Sequence, residues 1–119
     1  MLPKERRLRS SREFETVYRR GKAFTDRLVV LRMLRRDVQQ SSRFGFSTSP
    51  KLGSAVVRNR AKRRLREAVR LMLGEVRPAG FDAILIARPA MGDASFEEIR
   101  SSVGELLRRA GALTGPCVT

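Results

Sequence analysis

The sequence predicts an α+β sandwich, in which helices pack on one mixed β-sheet. Two capping-box patterns mark helix starts, three apolar extended runs read as strands, and glycine or proline separates the elements. Their order along the chain is helix, strands, helix, strand, helix, which is typical of this fold class. From 119 residues, of which 41% are hydrophobic, we expect a single domain over residues 1–119, with an ordered core at about 8–110 and flexible ends.

The first and last helices carry the same start signal. A serine followed three residues later by a glutamate lets each side chain bond a backbone N–H group of the other residue. The two pairs are Ser10 with Glu13, and Ser95 with Glu98. Apolar side chains follow each pair at helical spacing, and we expect the two helices to end at Gly21 and just before Gly111.

Three runs that are rich in aliphatic, aromatic and β-branched residues predict the strands. They are an extended run within residues 23–36 centred on Leu28–Leu34, then Arg43–Ser49, and Phe81–Arg88. Pro50 and Pro89 end the second and third runs, because proline lacks the N–H that a strand ladder needs. The third run is almost continuously apolar, which predicts a strand covered on both faces.

The most informative segment is a helix predicted from about Ser54 to Leu73, with Gly74 as its stop. Its apolar side chains gather in one narrow arc, formed by Val57, Ala61, Leu65, Ala68 and Met72. Beside this arc runs a row of cations at i, i+4 spacing, formed by Arg58, Lys62, Arg66 and Arg70. Like charges at this spacing destabilise a helix by about 0.2–0.5 kcal/mol per pair, and an external polyanion would remove that cost. A merely solvated basic face is the alternative, although such faces usually mix both signs of charge.

The charge of the whole chain points in the same direction. The 26 Lys and Arg residues against 12 Asp and Glu residues give a net charge of +14, which favours a phosphate-rich partner. A second basic block lies near the N-terminus and comprises Lys4, Arg6, Arg7, Arg9, Arg12, Arg19, Arg20 and Lys22. No apolar run reaches about 18 residues and no secretory signal is present, so we expect a cytoplasmic protein with no membrane partner.

The sequence offers no catalytic apparatus of its own. It has no histidine, no cluster of carboxylates at metal-ligand spacing, and no glycine-rich phosphate loop. Glu13 and Glu98 fit helix caps, and Asp82 and Asp93 are expected beside turns. The single cysteine, Cys117, forms neither an internal disulfide nor a metal site by itself. We therefore predict no catalytic residue, no metal-binding residue and no stand-alone nuclease activity.

Four segments together resemble the protein component of bacterial ribonuclease P. The most specific is Val56–Glu67, which contains the Arg-Asn-Arg signature at residues 58–60 and the Lys-Arg pair and Arg that follow it. The supporting segments are Ser11–Gly21, Phe44–Ser47 and Phe81–Arg88. The resemblance implies one domain with a central mixed four-stranded sheet and three helices in the order αβββαβα. It also implies a left-handed βαβ crossover around the basic helix, against the general right-handed rule.

The same resemblance implies a function as an RNA-binding subunit of ribonuclease P. The family's protein partners the ribonuclease P catalytic RNA, binds the 5′ leader of precursor tRNA, and assists endonucleolytic removal of that leader. The RNA carries the catalysis. Mg²⁺ is then required by the holoenzyme and held mainly by the RNA, with none bound tightly by the protein, and no obligate protein partner is expected.

Two sets of site residues follow from the resemblance. The first contacts the catalytic RNA and comprises Lys51, Arg58, Asn59, Arg60, Lys62, Arg63 and Arg66. The second lines a cleft for the leader and comprises Phe14, Tyr18, Arg32 and Phe46. Taken without the family, Phe14 and Tyr18 favour a core role, because an aromatic pair at i, i+4 is a normal packing stripe. Arg64 and Arg70 stay open as outward charges that only keep the protein soluble.

The chain departs from the family pattern at two positions. Arg32 stands where relatives commonly have an aromatic residue, although a guanidinium can also stack on a base. Pro50 leaves Lys51 alone where relatives show two lysines, which predicts slightly weaker phosphate binding there.

Two other functions stay open on the residues alone. A ribosomal or RNA-chaperone protein would share the charge and fold, and a basic-helix DNA binder would share the helix, which here lacks sustained heptads.

Overall fold

The computed structural model describes residues 2–37 and 39–114, and Cys117 lies outside these ranges. The described chain contains three α-helices and four strands, which confirms the predicted fold class and the order αβββαβα. The elements are α1 (Ser11–Arg20), β1 (Lys22–Thr25), β2 (Val29–Arg35), β3 (Arg43–Thr48), α2 (Ala55–Leu71), β4 (Phe81–Ala87) and α3 (Phe96–Arg109).

The four strands form one mixed sheet in the order β1-β2-β4-β3. The β1–β2 and β2–β4 pairs are antiparallel, whereas β3 and β4 are parallel neighbours that α2 connects. The two edges of the described sheet are therefore β1 and β3. The handedness of the crossover through α2 stays a prediction from the family resemblance.

Alternation along the strands divides the core between two faces of the sheet. On one face, called here the α2 face, strand residues such as Leu31, Phe44 and Leu85 join α2 and α3 in the main hydrophobic cluster. On the other, called the α1 face, Ile84 packs with Val17 of α1 and with Leu8. Six of the seven β4 positions are buried, which confirms the prediction of a strand covered on both sides.

The run predicted within residues 23–36 is two strands rather than one. The Asp26 carboxylate accepts hydrogen bonds from the backbone N–H groups of Leu28 at 2.8 Å and Val29 at 2.9 Å. This arrangement reverses the chain between β1 and β2, as Asp side chains commonly do in turns. Both predicted capping boxes are present, at the starts of α1 and α3.

The basic helix α2 ends two residues earlier than predicted. The N–H of Met72 donates to the carbonyl of Val69 at 3.1 Å, and the chain tightens into a 3₁₀ turn at Leu73–Glu75. Gly74 therefore lies inside that turn and does not cap the helix. Within the described ranges, no helix combines the length and the apolar character that crossing a bilayer requires.

The segment before α1 packs against β3. Leu2 is buried in the main cluster, Arg6 Nε donates to the carbonyl of Ser42 at 2.6 Å, and the N–H of Leu8 donates to the carbonyl of Phe44 at 2.8 Å. These contacts begin before residue 8, the predicted start of the ordered core. The flexibility of the two ends stays a prediction.

Candidate nucleic-acid interface

Helix α2 buries one side and presents cations on the other. Ala61, Leu65 and Ala68 are buried, as the predicted apolar arc requires, and Met72 lies just beyond the helix end in the same cluster. Val57 is different, since it is 39% exposed and its neighbour Val56 is 75% exposed. The first turn of α2 therefore projects beyond the core and carries two uncovered apolar side chains.

Five cations of α2 have no acidic partner among the described residues. They are Arg58, Arg60, Lys62, Arg63 and Arg66. Asn59, which lies between the first two, is exposed and likewise makes no side-chain hydrogen bond within the described chain. Cations that are close together and unneutralised repel one another, so this surface is electrostatically suited to an external anion.

Two other cations of α2 are held by the protein itself. Arg64 Nη2 donates to the carbonyl of Ala94 at 2.9 Å, and burial, followed by the charge of Arg60, lowers the pKa of Arg64. Arg70 forms a two-pronged contact with Glu67 at 2.6 and 2.8 Å, and these hydrogen bonds raise the pKa of Arg70. Arg64 and Arg70 thus each have a partner within the protein, and Arg70 remains exposed.

A groove of about 440 Å³ runs along the unpaired cations of α2. Its lining residues are Val56, Asn59, Lys62, Arg63 and Arg66. The guanidinium groups and the amide are donors for phosphate and sugar oxygens, and Asn59 also offers an acceptor. Four of the seven predicted RNA-contact residues therefore line this groove, and Arg58 and Arg60 flank Asn59 in the sequence. Lys51 is exposed in the 3₁₀ turn Pro50–Leu52, shortly before α2.

Phe14 of α1 lies directly over Gly45 of β3. A Cβ atom added at Gly45 would lie 2.5 Å from Phe14 Cζ and 2.7 Å from Cε2, so only glycine permits the ring to approach the strand this closely. Phe14 is partly buried and packs on the small cluster of the α1 face. The ring therefore has both the packing role that its spacing favours and an accessible edge.

A second groove, of about 400 Å³, wraps around the edge strand β3 and joins the two faces of the sheet. Phe14 and Gly45 line it from the α1 face, whereas Phe46 and Arg66 line it from the α2 face. The Arg66 guanidinium lies 5.8 Å from the centroid of the Phe46 ring, a cation–π distance. Phe14 and Phe46, both predicted to line the leader cleft, thus lie on opposite faces of the sheet but share this groove, which Tyr18 does not line.

Tyr18 and Arg32 meet at the other end of α1. Tyr18 is 38% exposed. Arg32 Nη2 donates to the carbonyl of Tyr18 at 2.6 Å and to that of Gly21 at 2.9 Å. These carbonyls lie at the helix C-terminus, where backbone acceptors lack helical partners and a cation is favourable. Arg32 therefore fixes the end of α1 as well as adding positive charge there.

An ion-pair network anchors the start of α1 to the sheet. Arg43 binds the Glu13 carboxylate and also forms two hydrogen bonds to Asp82, at 2.9 and 2.8 Å. Arg36 binds the same Asp82 at 3.0 Å. Asp82 is thus a buried partner of two arginines inside β4, and the expectation that it sits beside a turn was wrong. The backbone N–H groups of Ser10 and Arg9, and then Arg43, lower the pKa of Glu13 to about 2.

The low pKa of Glu13 predicts a specific loss of stability in acid. A carboxylate whose folded-state pKa is lowered from 4.5 to about 2 stabilises the fold fully above its unfolded value and loses that contribution as the pH falls toward 2. Glu13→Gln should cost about 1 kcal/mol of unfolding free energy at neutral pH, since solvent screens this partly exposed group. Urea unfolding at several pH values gives the unfolding free energy of each protein. The wild-type and variant values should converge as the pH falls from 4.5 to 2, and a difference that stays constant with pH would contradict the prediction.

Sequence reasoning missed two participants at the β3 groove. Arg7 and Arg9 line it, and the Nε atom of Arg7 is buried without a hydrogen-bond partner in the described chain. Buried donors are normally paired, so this atom is suited to an anion that enters the groove. The sequence signal for these two arginines was the N-terminal basic block, but the charge of that block did not indicate which of its residues lie close to β3.

Comparison with known proteins gives one consistent family. The model of the family described as Ribonuclease P matches residues 2–111. A curated relative from Symbiobacterium thermophilum, the ribonuclease P protein component, is 46% identical over 112 residues, which cover 94% of this chain and 96% of that protein. The ribonuclease P protein component of Clostridium botulinum strain Langeland is 41% identical and covers 91% of this chain and 96% of the relative.

Solved structures agree with the sequence relatives. The RNase P protein of Staphylococcus aureus superposes with a TM-score of 0.80 at 28% identity, covering 93% of this chain and 100% of that one. The RNase P protein of Thermotoga maritima gives a TM-score of 0.76 at 31% identity, covering 87% of this chain and 96% of that one. The likeness therefore extends over nearly the whole described fold.

Proposed function

The chain belongs to the ribonuclease P protein family, and from this premise we propose that it is the RNA-binding subunit of a tRNA-processing ribonucleoprotein. It binds the ribonuclease P RNA and the 5′ leader of precursor tRNA, and the RNA carries out the hydrolysis that removes the leader. The observation that carries this proposal is the set of five unpaired cations on α2. They coincide with the Arg-Asn-Arg signature and the basic residues after it.

The α2 surface docks onto the catalytic RNA. Arg58, Arg60 and Arg63 bind phosphates through their planar guanidinium groups, which suit bidentate contacts better than a lysine does. Asn59 fixes the register by offering both a donor and an acceptor to sugar or phosphate groups. Lys62, Arg66 and Lys51 extend the same positive surface toward the β3 groove and the turn before α2.

The leader lies along α1. Phe14 and Tyr18 are four residues apart on this helix and offer rings on which unpaired bases stack, each stack being worth about 1–3 kcal/mol. Arg32 adds positive charge at the Tyr18 end. Phe46 contributes from the far side of β3, where it supports Arg66 at the groove that both faces share.

This division of the surface explains how a protein without catalytic residues improves the reaction. Precursor and product share the mature tRNA and differ in the leader, so a contact with the leader alone binds the precursor more tightly. The protein's positive charge also offsets repulsion between the two RNAs. Both effects raise the fraction of catalytic RNA that holds substrate.

The residues that the structure describes do not fit a tight Mg²⁺ site. In residues 2–37 and 39–114, no three His, Cys, Asp or Glu side chains come together as ligands, and Asp82 is already bound by two arginines. We therefore assign the Mg²⁺ that the holoenzyme requires to phosphates of the RNA. No step of the hydrolysis then uses a metal ion bound by the protein. A cytoplasmic location, where RNA processing of this kind takes place, is part of the same proposal.

The test is cleavage of precursor tRNA by a bacterial ribonuclease P RNA at low magnesium. Addition of the full chain should stimulate cleavage at the leader junction, whereas the chain without that RNA should leave the precursor intact. An unchanged cleavage rate at saturating protein would refute the proposal. A general RNA chaperone of equal net charge is the control, since it tests whether charge alone is enough.

A further inference from the structure

The opposite edge of the sheet carries another cationic groove, which the α2 surface and the β3 groove do not include. It has a volume of about 450 Å³ and is lined by the ends of several elements that meet at this edge. Its four cations come from α1, β1, β2 and α3, and they are Arg20, Lys22, Arg35 and Arg109. No acidic residue lines it, so folding has gathered positive charge here from four secondary-structure elements.

The contacts within this β1 groove leave its charge largely unneutralised. The Lys22 ammonium lies 5.7 Å from the centroid of the Phe24 ring. Arg109 donates a long hydrogen bond of 3.4 Å to the carbonyl of Thr25 and also interacts electrostatically with Asp26 and Glu105, neither of which lines the groove. Arg20 and Arg35 are exposed and make no ion pair among the described residues. A concave surface with cations of one sign concentrates the field and attracts anions.

The β1 groove begins near the Tyr18 end of α1, where the proposed path of the leader along this helix, called here the α1 cleft, ends. In the β1–β2 ladder, Arg32, which holds the carbonyl of Tyr18, pairs with Ala23. The next pair in that ladder is Lys22 with Met33, and both residues line the groove. An extended chain that follows α1 past Tyr18 therefore reaches the groove by rounding β1, which is a free edge of the described sheet.

We propose that the β1 groove binds the phosphodiester backbone of the leader after it has passed Tyr18, so that a long leader gains affinity that a short one lacks. The inference rests on the proposed function and extends it. The leader is the occupant because the groove continues the α1 cleft, whereas the signature cations lie on α2, which packs beside β3 and β4. The β1 and β3 edges are three strand spacings apart, about 14 Å.

The test compares three ligands of the reconstituted holoenzyme: mature tRNA, a precursor whose leader ends within the α1 cleft, and a precursor with a longer leader. In the Lys22→Gln/Arg35→Gln variant, affinity for the long-leader precursor should fall about 10-fold. Its salt dependence, the slope of log K against log salt concentration, should fall by about 1.4, since each single-strand phosphate contact contributes about 0.7. Affinities for the other two ligands should not change.

The matched control is Arg27→Gln/Arg100→Gln, which removes the same charge from exposed sites away from the groove. It should leave all three affinities unchanged. An equal loss for all three ligands, the same loss in the control, or no loss for the long leader would overturn the inference. Failure of the proposed function gives a different result, because the wild-type holoenzyme would then bind the short-leader precursor no better than mature tRNA.

Discussion

Replacement of both Arg58 and Arg60 by glutamine is expected to weaken binding of the chain to ribonuclease P RNA by about 100-fold, since each charge-assisted hydrogen bond to a phosphate is worth about 1.5 kcal/mol. Both side chains lack a partner within the described chain, so their removal leaves no buried group unsatisfied in the free protein. The thermal unfolding midpoint should therefore stay close to that of the wild type, which shows that the variant remains folded while its RNA affinity falls.

Salt dependence gives this prediction its sharpest form. The slope of log K against log salt should fall by about 1.4–1.8 for the double variant, because each neutralised phosphate contributes about 0.7 in a single strand and about 0.9 in B-form DNA. The control is Arg64→Gln/Arg70→Gln, which removes the same charge from the same helix but from residues that bind Ala94 and Glu67. That control should retain the wild-type slope. Equal slopes for the wild type and Arg58→Gln/Arg60→Gln would exclude these two arginines from the interface.

Gly45→Ala is expected to destabilise the protein by about 1–3 kcal/mol, as overpacking of a close contact does. The added methyl would lie 2.5 Å from the Phe14 ring and 3.1 Å from Leu8 Cδ1, so the ring must leave its place over β3. Because Phe14 is proposed to stack on the leader, the variant holoenzyme should also lose most of its preference for precursor tRNA over mature tRNA.

A double-mutant cycle tests whether the ring is the cause. Phe14→Ala removes the obstacle, so the further change Gly45→Ala should cost clearly less in the Phe14→Ala background than in the wild type. The coupling energy, measured by urea unfolding, should be about 1–2 kcal/mol, within the range for residues in direct contact. Additive costs would mean that the Phe14 ring does not rest on Gly45.

The parts of the fold that sequence predicts well are those with local signals. A serine followed three residues later by a glutamate, just before an apolar helical pattern, is a local signal for a capping box, and both α1 and α3 begin with one. The apolar arc of α2 likewise depends on residues within one helix, so Ala61, Leu65 and Ala68 are buried as predicted. Val57 is the exception, because its exposure depends on where the core ends rather than on its position in the arc.

The contacts that the sequence did not predict depend on partners far along the chain. Asp82 binds Arg43 and Arg36, which are 39 and 46 positions away, and no local pattern indicates either pair. Arg64 contacts a carbonyl 30 positions away, and no local sequence pattern indicates that contact either. The sequence did not assign Phe46 to a face of the sheet, because that face depends on the register with β4. The family resemblance predicts which residues contact RNA, whereas their orientation required the structure.

In the proposed complex, the protein binds precursor tRNA through the leader while the RNA binds the mature part. The most direct measurement is the ratio of precursor to product affinity for ribonuclease P RNA, with and without this chain, under identical salt and magnesium. We expect the protein to raise affinity for the precursor far more than for the product. If the protein changes both affinities by the same factor, the leader contact along α1 does not exist.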